Sequence, residues 1–210
     1  MFIVITMALL IVLAVASLLA GWELVGLPGW VWLALCVPEA VLIGALFLSA
    51  QVGDDERHRR WLQRLLALVV LGNLIGLSVL VAGLLTEKSL DLSGAQLLTS
   101  GLVVWLTNVI VFGLSFWTLD CGGPVQRALA GRQRPDFQFP QDENRLLAPE
   151  GWYPRLEDYV YVALTNGIAF SPTDAMPLTR WAKSLMAAES TISVAAVLLV
   201  GARAVNILGS

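Results

Sequence analysis

Long apolar runs separated by short polar connections dominate the chain. A run of about 20 apolar residues is long enough, at about 1.5 Å per helical residue, to cross a hydrocarbon core of about 30 Å. Runs of that length lie at Phe2–Ala20, Trp30–Ala50, Leu65–Leu85, Leu97–Leu119 and Trp181–Leu208. The pattern predicts an all-α fold, a polytopic transmembrane helix bundle of about five spans.

The runs divide the chain into three predicted parts. Residues 1–119 form a four-helix transmembrane region, residues 120–158 a Pro- and Arg-rich connection, and residues 159–210 a short hairpin followed by the last transmembrane helix. The prolines of the connection, with their alternating polar and aromatic neighbours, predict an extended segment that lies on the surface.

The polar connections indicate which side of the membrane each one faces. Several arginines lie in Gln51–Arg64 and in Asp120–Asp158, whereas the basic residue of Thr86–Ala95 is Lys88. Cytoplasmic loops are enriched in Lys and Arg. We therefore predict a multi-pass protein of the bacterial inner (plasma) membrane, with its N-terminus and the 120–158 connection in the cytoplasm.

Composition removes several functional classes. The chain is 57% hydrophobic, 14% charged and carries a formal net charge of -3, which argues against a soluble domain and against nucleic-acid binding. Cys36, Cys121 and the single His58 are too few and too scattered for a disulfide framework or a metal site. The sequence has no nucleophile elbow, P-loop or dinucleotide fingerprint, so we predict neither an enzyme nor a bound cofactor or metal.

One apolar segment is too short to be a span. Tyr159–Phe170 would measure about 18 Å as a helix, and the residues that follow it, Ser171–Thr179, are rich in Ser, Thr, Asp and Pro. Irregular backbone at membrane depth is tolerated where protein shelters it or water fills a cavity. Two interpretations fit: a re-entrant half-helix that returns to its own side, or a short sixth crossing.

This segment resembles the pore module of tetrameric potassium-type channels. The shared features are a short apolar helix, a Thr-containing break, Asp174, Pro177 and a long helix that starts after Thr179. The resemblance implies a homo-oligomer, with a tetramer favoured by analogy, in which the hairpins surround an axis that small ions cross. The filter glycines of those channels are replaced by Ala169–Thr173, so the resemblance does not extend to potassium selectivity.

The whole chain also resembles a bacterial family of inner-membrane proteins whose function is not established. That likeness is carried by the Tyr159-x-Tyr161 pair, by Phe170-x-x-x-Asp174, and by the ending Ala204–Leu208. It implies the fold and the location, and it implies no activity.

Polar residues inside the predicted spans are candidate functional groups. An acidic side chain at a helix centre costs about 2.5–3.5 kcal/mol on insertion scales. Glu39 and Glu189 therefore either line a path for ions or protons, or are protonated and hydrogen-bonded to neighbouring helices. Asn73 and Asn108 fit interhelical hydrogen bonds.

These observations predict an ion channel or channel-like pore that conducts small ions, with cations favoured, through an oligomeric axis. The alternative is a non-conducting membrane scaffold or accessory subunit of a membrane complex. A carrier for small solutes or lipids is a weaker third interpretation. The predicted partners are the lipid bilayer, small ions and further copies of the chain. The residues predicted to line the path are Thr165, Asn166, Ser171, Thr173, Asp174 and Glu189.

Overall fold

The computed structural model describes mainly the C-terminal half of the chain. The described residues are 94–124, 126–127, 134–144, 146, 148–169, 171 and 174–208, together with single positions between residues 15 and 78. The predicted sites at Glu39, Asn73 and Thr173 lie outside the described residues, as do most residues of the first three predicted spans.

The described part is mostly helical, in agreement with the all-α character of the predicted fold class. Its elements, in chain order, are α1 (Gly94–Leu119), a 3-10 turn (Asp120–Gly122), β1 (Phe137–Gln138), α2 (Pro140–Glu143), α3 (Leu156–Ala169), β2 (Met176–Pro177) and α4 (Arg180–Leu208). Among these residues one stretch, Val104–Gly122, is long and apolar enough to cross a membrane.

The three longer helices pack against one another through small and aromatic residues. At Gly113 of α1, an added Cβ would lie 2.8 Å from the Cα of Val160, so glycine is what allows α1 and α3 to approach so closely. Phe112 and Phe116 on α1, together with Tyr159 on α3, are fully buried in the core. The core therefore forms where α3 lies against the C-terminal half of α1.

Helices α3 and α4 begin at the same end of the bundle. The Tyr159 hydroxyl, in the first turn of α3, donates to the carboxylate of Asp120, directly after α1. Asp120 also accepts the backbone N–H of Asp136, and the Asp136 carboxylate accepts a hydrogen bond from Thr179, directly before α4. Both helices thus start beside the end of α1 and run antiparallel to it.

The shorter of these two helices ends partway along the bundle. Helix α3 has 14 residues, and Gly167 near its C-terminus faces Ser193, in the middle of the 29-residue α4. Since α4 starts back at the level of Asp120, residues 170–179 have to lead the chain back to the end from which α3 began. The first residues of α3 and of α4 therefore lie at the same end of the bundle.

A two-residue antiparallel bridge ties the 120–158 connection to this returning segment. Phe137 is paired with Pro177 and Gln138 with Met176, and the N–H of Leu178 donates to the carbonyl of Asp136 at 2.8 Å. Phe137 and Phe139 are each 1% exposed. The expectation of an entirely surface-lying connection was wrong here, because alternate aromatic side chains of this segment turn into the core and pack edge-on against Tyr159.

Candidate functional site

Four buried polar side chains meet where the three long helices are in contact. We call Asn108, Asn166, Glu189 and Ser193 the interior cluster; the first lies on α1, the second on α3 and the other two on α4. Asn166 is 2% exposed, and the other three are 0% exposed. Asn166 and Glu189, both predicted path residues, are brought together here, and the intramembrane candidate Asn108 joins them.

Hydrogen bonds from the two asparagines connect the helices. The Nδ2 of Asn166 donates to Oε2 of Glu189 at 2.8 Å and to the carbonyl of Met186 at 2.9 Å. The Nδ2 of Asn108 donates to Oγ of Ser193 at 3.0 Å and to the carbonyl of Glu189 at 3.2 Å. Each amide nitrogen therefore uses both of its hydrogens on α4, which fixes the register of the three helices.

The oxygen atoms of the interior cluster have fewer hydrogen-bond partners than its nitrogen atoms. Neither Oε1 of Glu189 nor Oδ1 of Asn108 has a hydrogen-bond partner in the described part of the chain, although both are buried. The Nε1 of Trp105 and the Oγ1 of Thr107, on the same stretch of α1, are also buried without a partner there. Buried polar atoms of this kind call for a bound proton, ion or water.

Gly167 gives the interior cluster its close packing. A Cβ at this position would lie 3.1 Å from Oγ of Ser193 and 3.6 Å from Nε1 of Trp105. A larger residue on α3 would therefore push against the hydroxyl that Asn108 uses. The glycine keeps the polar atoms of α1 and α4 next to the end of α3.

A second polar group lies at the end of the bundle, and we call Asp120, Arg127, Asp136, Tyr159 and Thr179 the end cluster. The carboxylate of Asp120, which is 0% exposed, accepts the N–H groups of Asp136 and Phe137 and the hydroxyl of Tyr159. The Nη1 of Arg127 lies 3.9 Å from this carboxylate and donates to the carbonyls of Trp117 and Asp120. The end cluster thus satisfies a buried charge with groups from β1 and the residue before it, from α3 and from Arg127.

Among the described residues, Thr165, Ser171 and Asp174 form no hydrogen bond with the interior cluster. The Thr165 hydroxyl donates to carbonyls of its own helix, at Tyr161 and Val162, and Ser171 is exposed. Asp174 is partly buried, and its burial, followed by the nearby Asp158 carboxylate, raises the pKa of Asp174 above its ordinary value.

Sequence reasoning missed the end cluster and the part that Ser193 plays in the interior cluster. Asp120 and Arg127 read as ordinary charges in a polar connection, and no local pattern pairs them with Tyr159, which lies 39 residues after Asp120. Within the described residues, no group of three or more His, Cys, Asp or Glu side chains is placed to hold a metal ion.

Comparisons with known proteins found no match for the chain. No protein-family model, curated protein or solved structure matches the chain. The arguments about function therefore rest on the side chains of the interior cluster and on their surroundings.

Proposed function

We propose that the chain is an integral membrane protein that passes protons or small cations, and that Glu189 is the group to which they bind. In this proposal α1 and α4 span the bilayer, and α3 with residues 170–179 forms a re-entrant hairpin. The apolar stretch Val104–Gly122 and the return of the chain to the starting end of α3 support that placement.

One observation carries the proposal: two buried acceptor oxygens of the interior cluster lack a donor. They are Oε1 of Glu189 and Oδ1 of Asn108, within the part of the chain that the structure describes. A carboxylate without a cationic partner is costly to bury unless a proton or cation accompanies it. The described groups that hydrogen-bond Glu189 are the neutral amides of Asn108 and Asn166, so in this proposal a bound proton or cation compensates the charge of the carboxylate.

The positions of these side chains favour a path inside each protomer over a path on an oligomeric axis. Asn166 and Glu189 point toward each other and toward α1 of the same chain, since Asn108 bonds the backbone of Glu189. The hydroxyl of Thr165 is used within its own helix. We therefore place the binding site between α1, α3 and α4.

The experiment is ion flux into liposomes that contain the purified full-length chain. A fluorescent pH indicator inside the vesicles reports proton entry, and parallel samples with sodium or potassium gradients report cation entry. Glu189→Gln retains the shape and the bond from Asn166 but cannot ionise, so we expect flux to fall about tenfold or more. Glu157→Gln, which alters an exposed carboxylate in the first turn of α3, is the matched control and should keep wild-type flux.

Two results would contradict the proposal. If vesicles with the wild-type protein are no more permeable to protons, sodium and potassium than empty vesicles, the transport function is ruled out. Equal flux in the wild type and in Glu189→Gln would support transport but would contradict the part that Glu189 is proposed to play in it.

The closed state of the interior cluster favours one alternative, a non-conducting scaffold or accessory subunit. Asn108, Glu189 and Ser193 are each 0% exposed, so they are closed off from bulk solvent in this conformation. A scaffold would keep a protonated Glu189 as a helix-to-helix contact and would use residues 120–158 to bind a partner. Tight vesicles together with a second protein that co-purifies stoichiometrically, and is lost when residues 145–151 are replaced by a Gly/Ser linker, would support this alternative.

A further inference from the structure

The backbone carbonyls around Glu189 have no lone pairs left for a metal cation. In an α-helix each carbonyl accepts the N–H four residues further on, so the carbonyls of Met186 and Glu189 each accept one bond within α4. The carbonyl of Met186 accepts a second bond, from Asn166. The carbonyl of Glu189 likewise accepts a second bond, from Asn108. A carbonyl oxygen has two lone pairs, so both of these carbonyls are fully used.

The side chains of the interior cluster offer a cation N–H groups where it would need oxygens. Nδ2 of Asn166 donates to Oε2 of Glu189, and Nδ2 of Asn108 occupies the hydroxyl oxygen of Ser193. Within the described residues, the buried acceptors of the cluster that lack a partner are Oε1 of Glu189 and Oδ1 of Asn108. Hard metal cations take about six or more oxygen ligands in proteins. Two oxygens are too few to replace the hydration shell of such an ion.

The space beside these two oxygens is also too small for a large ion. Oε1 of Glu189 and Oδ1 of Asn108 have almost no accessible surface. A potassium ion is about as large as a water molecule, so it does not fit next to either oxygen in this conformation. A proton needs no such space, because it forms a covalent O–H bond to one oxygen.

The three helices around the interior cluster place no cationic side chain next to Glu189. Helix α1 carries no charged residue between Gly94 and Leu119. The nearest basic residue along α4, Lys183, lies six residues before Glu189, about 9 Å along the axis, and is exposed. The other charged residues of α3 and α4 are Glu157, Asp158, Arg180 and Arg203. A carboxylate at this position would therefore be buried without a counter-charge in the described part of the chain.

From these observations we infer that the ligand of Glu189 is a proton and not a metal cation, and that the proton is bound to Oε1. Oε2 accepts the N–H of Asn166, so Oε2 is the carbonyl oxygen of the acid and Oε1 is its hydroxyl oxygen. Protonation forms one O–H bond and converts the carboxylate to a neutral acid, which removes the cost of a buried charge. The inference rests on the proposed function and narrows its substrate class to the proton.

The test is infrared spectroscopy of the full-length protein in lipid at neutral pH. A protonated carboxyl absorbs at a higher frequency than a carboxylate, and its band shifts downward when heavy water replaces the exchangeable proton. We expect the difference spectrum between the wild type and Glu189→Gln to contain such an acid band. The band should keep its intensity when sodium or potassium replaces the bulky cation N-methylglucamine at constant pH. Glu157→Gln, which alters an exposed carboxylate, is the matched control and should retain the wild-type band.

Asn166→Leu tests the position of the proton without removing Glu189. The variant removes the donor to Oε2, so the carbonyl of the acid loses a hydrogen bond and its band should move to a higher frequency. A band that stays at the wild-type frequency would contradict the assignment of the proton to Oε1.

Two results would overturn the inference as a whole. One is a carboxylate band in place of the acid band, and the other is loss of the acid band when sodium or potassium is added. Either result is compatible with the proposed function, which also allows small cations. The converse is equally distinguishable: an intact acid band in a protein whose vesicles are no more permeable than empty ones would support the proton on Glu189 and contradict transport.

Discussion

The interior cluster and the end cluster are both buried and polar, but they are satisfied to different extents. Every oxygen of the Asp120 carboxylate accepts a hydrogen bond, and Arg127 supplies a nearby positive charge. In the interior cluster, one oxygen of Glu189 and the oxygen of Asn108 have no partner in the described residues. No arginine or lysine bonds Glu189 there.

The difference indicates different roles. A buried charge that is fully paired and hydrogen-bonded fixes one arrangement of the chain. If one partner of the pair is removed, the remaining group stays buried without compensation for its lost hydration. A buried carboxyl with an unused oxygen retains capacity to bind something else. We therefore expect substitutions in the end cluster to affect folding, and substitutions in the interior cluster to affect function.

The largest expected effect is that of Asp120→Ala. It leaves Arg127 buried without its carboxylate, and it leaves the Asp136 N–H and the Tyr159 hydroxyl without their acceptor, so the free energy of unfolding should fall by about 3–5 kcal/mol. Unfolding by sodium dodecyl sulfate in mixed micelles measures this. A loss under about 1 kcal/mol would mean that the end cluster does not hold the fold together.

Tyr159→Phe separates the hydrogen bond from the packing of the ring. The substitution keeps the aromatic contacts with Phe137 and Phe139 and removes one donor to Asp120, so stability should fall by about 1–3 kcal/mol. Tyr161→Phe is the control, because Tyr161 lies two residues further along the same helix and is exposed. Similar unfolding curves for the two variants would refute the part assigned to the Tyr159 hydroxyl.

Glu189→Gln should change stability by about 1 kcal/mol or less, in either direction. The amide can still accept the bond from Asn166, and it no longer has to be buried as an acid. The same unfolding assay measures the change, alongside the flux assay. If Glu189→Gln unfolds as easily as Asp120→Ala, the contrast between the two clusters disappears.

The smallest expected effect concerns pH and Asp174. Burial and the Asp158 carboxylate raise the pKa of Asp174, so the folded state holds this proton more tightly than the unfolded state does. Its stabilising contribution is therefore complete below the unfolded pKa and is lost as pH rises through the folded value. Unfolding measured from pH 3 to pH 7 should show a shallower decline of stability with pH for Asp174→Asn than for the wild type. Equal slopes for the two proteins would contradict this expectation.

The long helices were predictable because their signals are local. The apolar runs at Leu97–Leu119 and Trp181–Leu208 correspond to α1 and α4, and the short run from Tyr159 corresponds to α3. Helical boundaries differ by a few residues at the starts: α1 begins at Gly94 and α3 at Leu156, each three residues before its apolar run.

The candidate site was predictable only in part. Carboxyl and amide groups in apolar runs stand out, so Asn108, Asn166 and Glu189 were found as individual residues. Their meeting depends on the register of three helices, and Gly113 and Gly167 help to set that register because the lack of a side chain at each allows close contact. The end cluster depends on a bridge between Phe137–Gln138 and Met176–Pro177, and a two-residue pairing leaves no periodic signal in the sequence.

The early end of α3 has an electrostatic consequence. The last carbonyls of a helix lack partners within it, and aligned peptide dipoles give that terminus a partial negative charge of about half an electron. In this fold the terminus lies beside the middle of α4, near Ser193, and the carbonyl of Asn166 accepts a long bond of 3.5 Å from the hydroxyl of Ser190. The helix itself thus makes the centre of the bundle attractive to positive charge and repellent to negative charge.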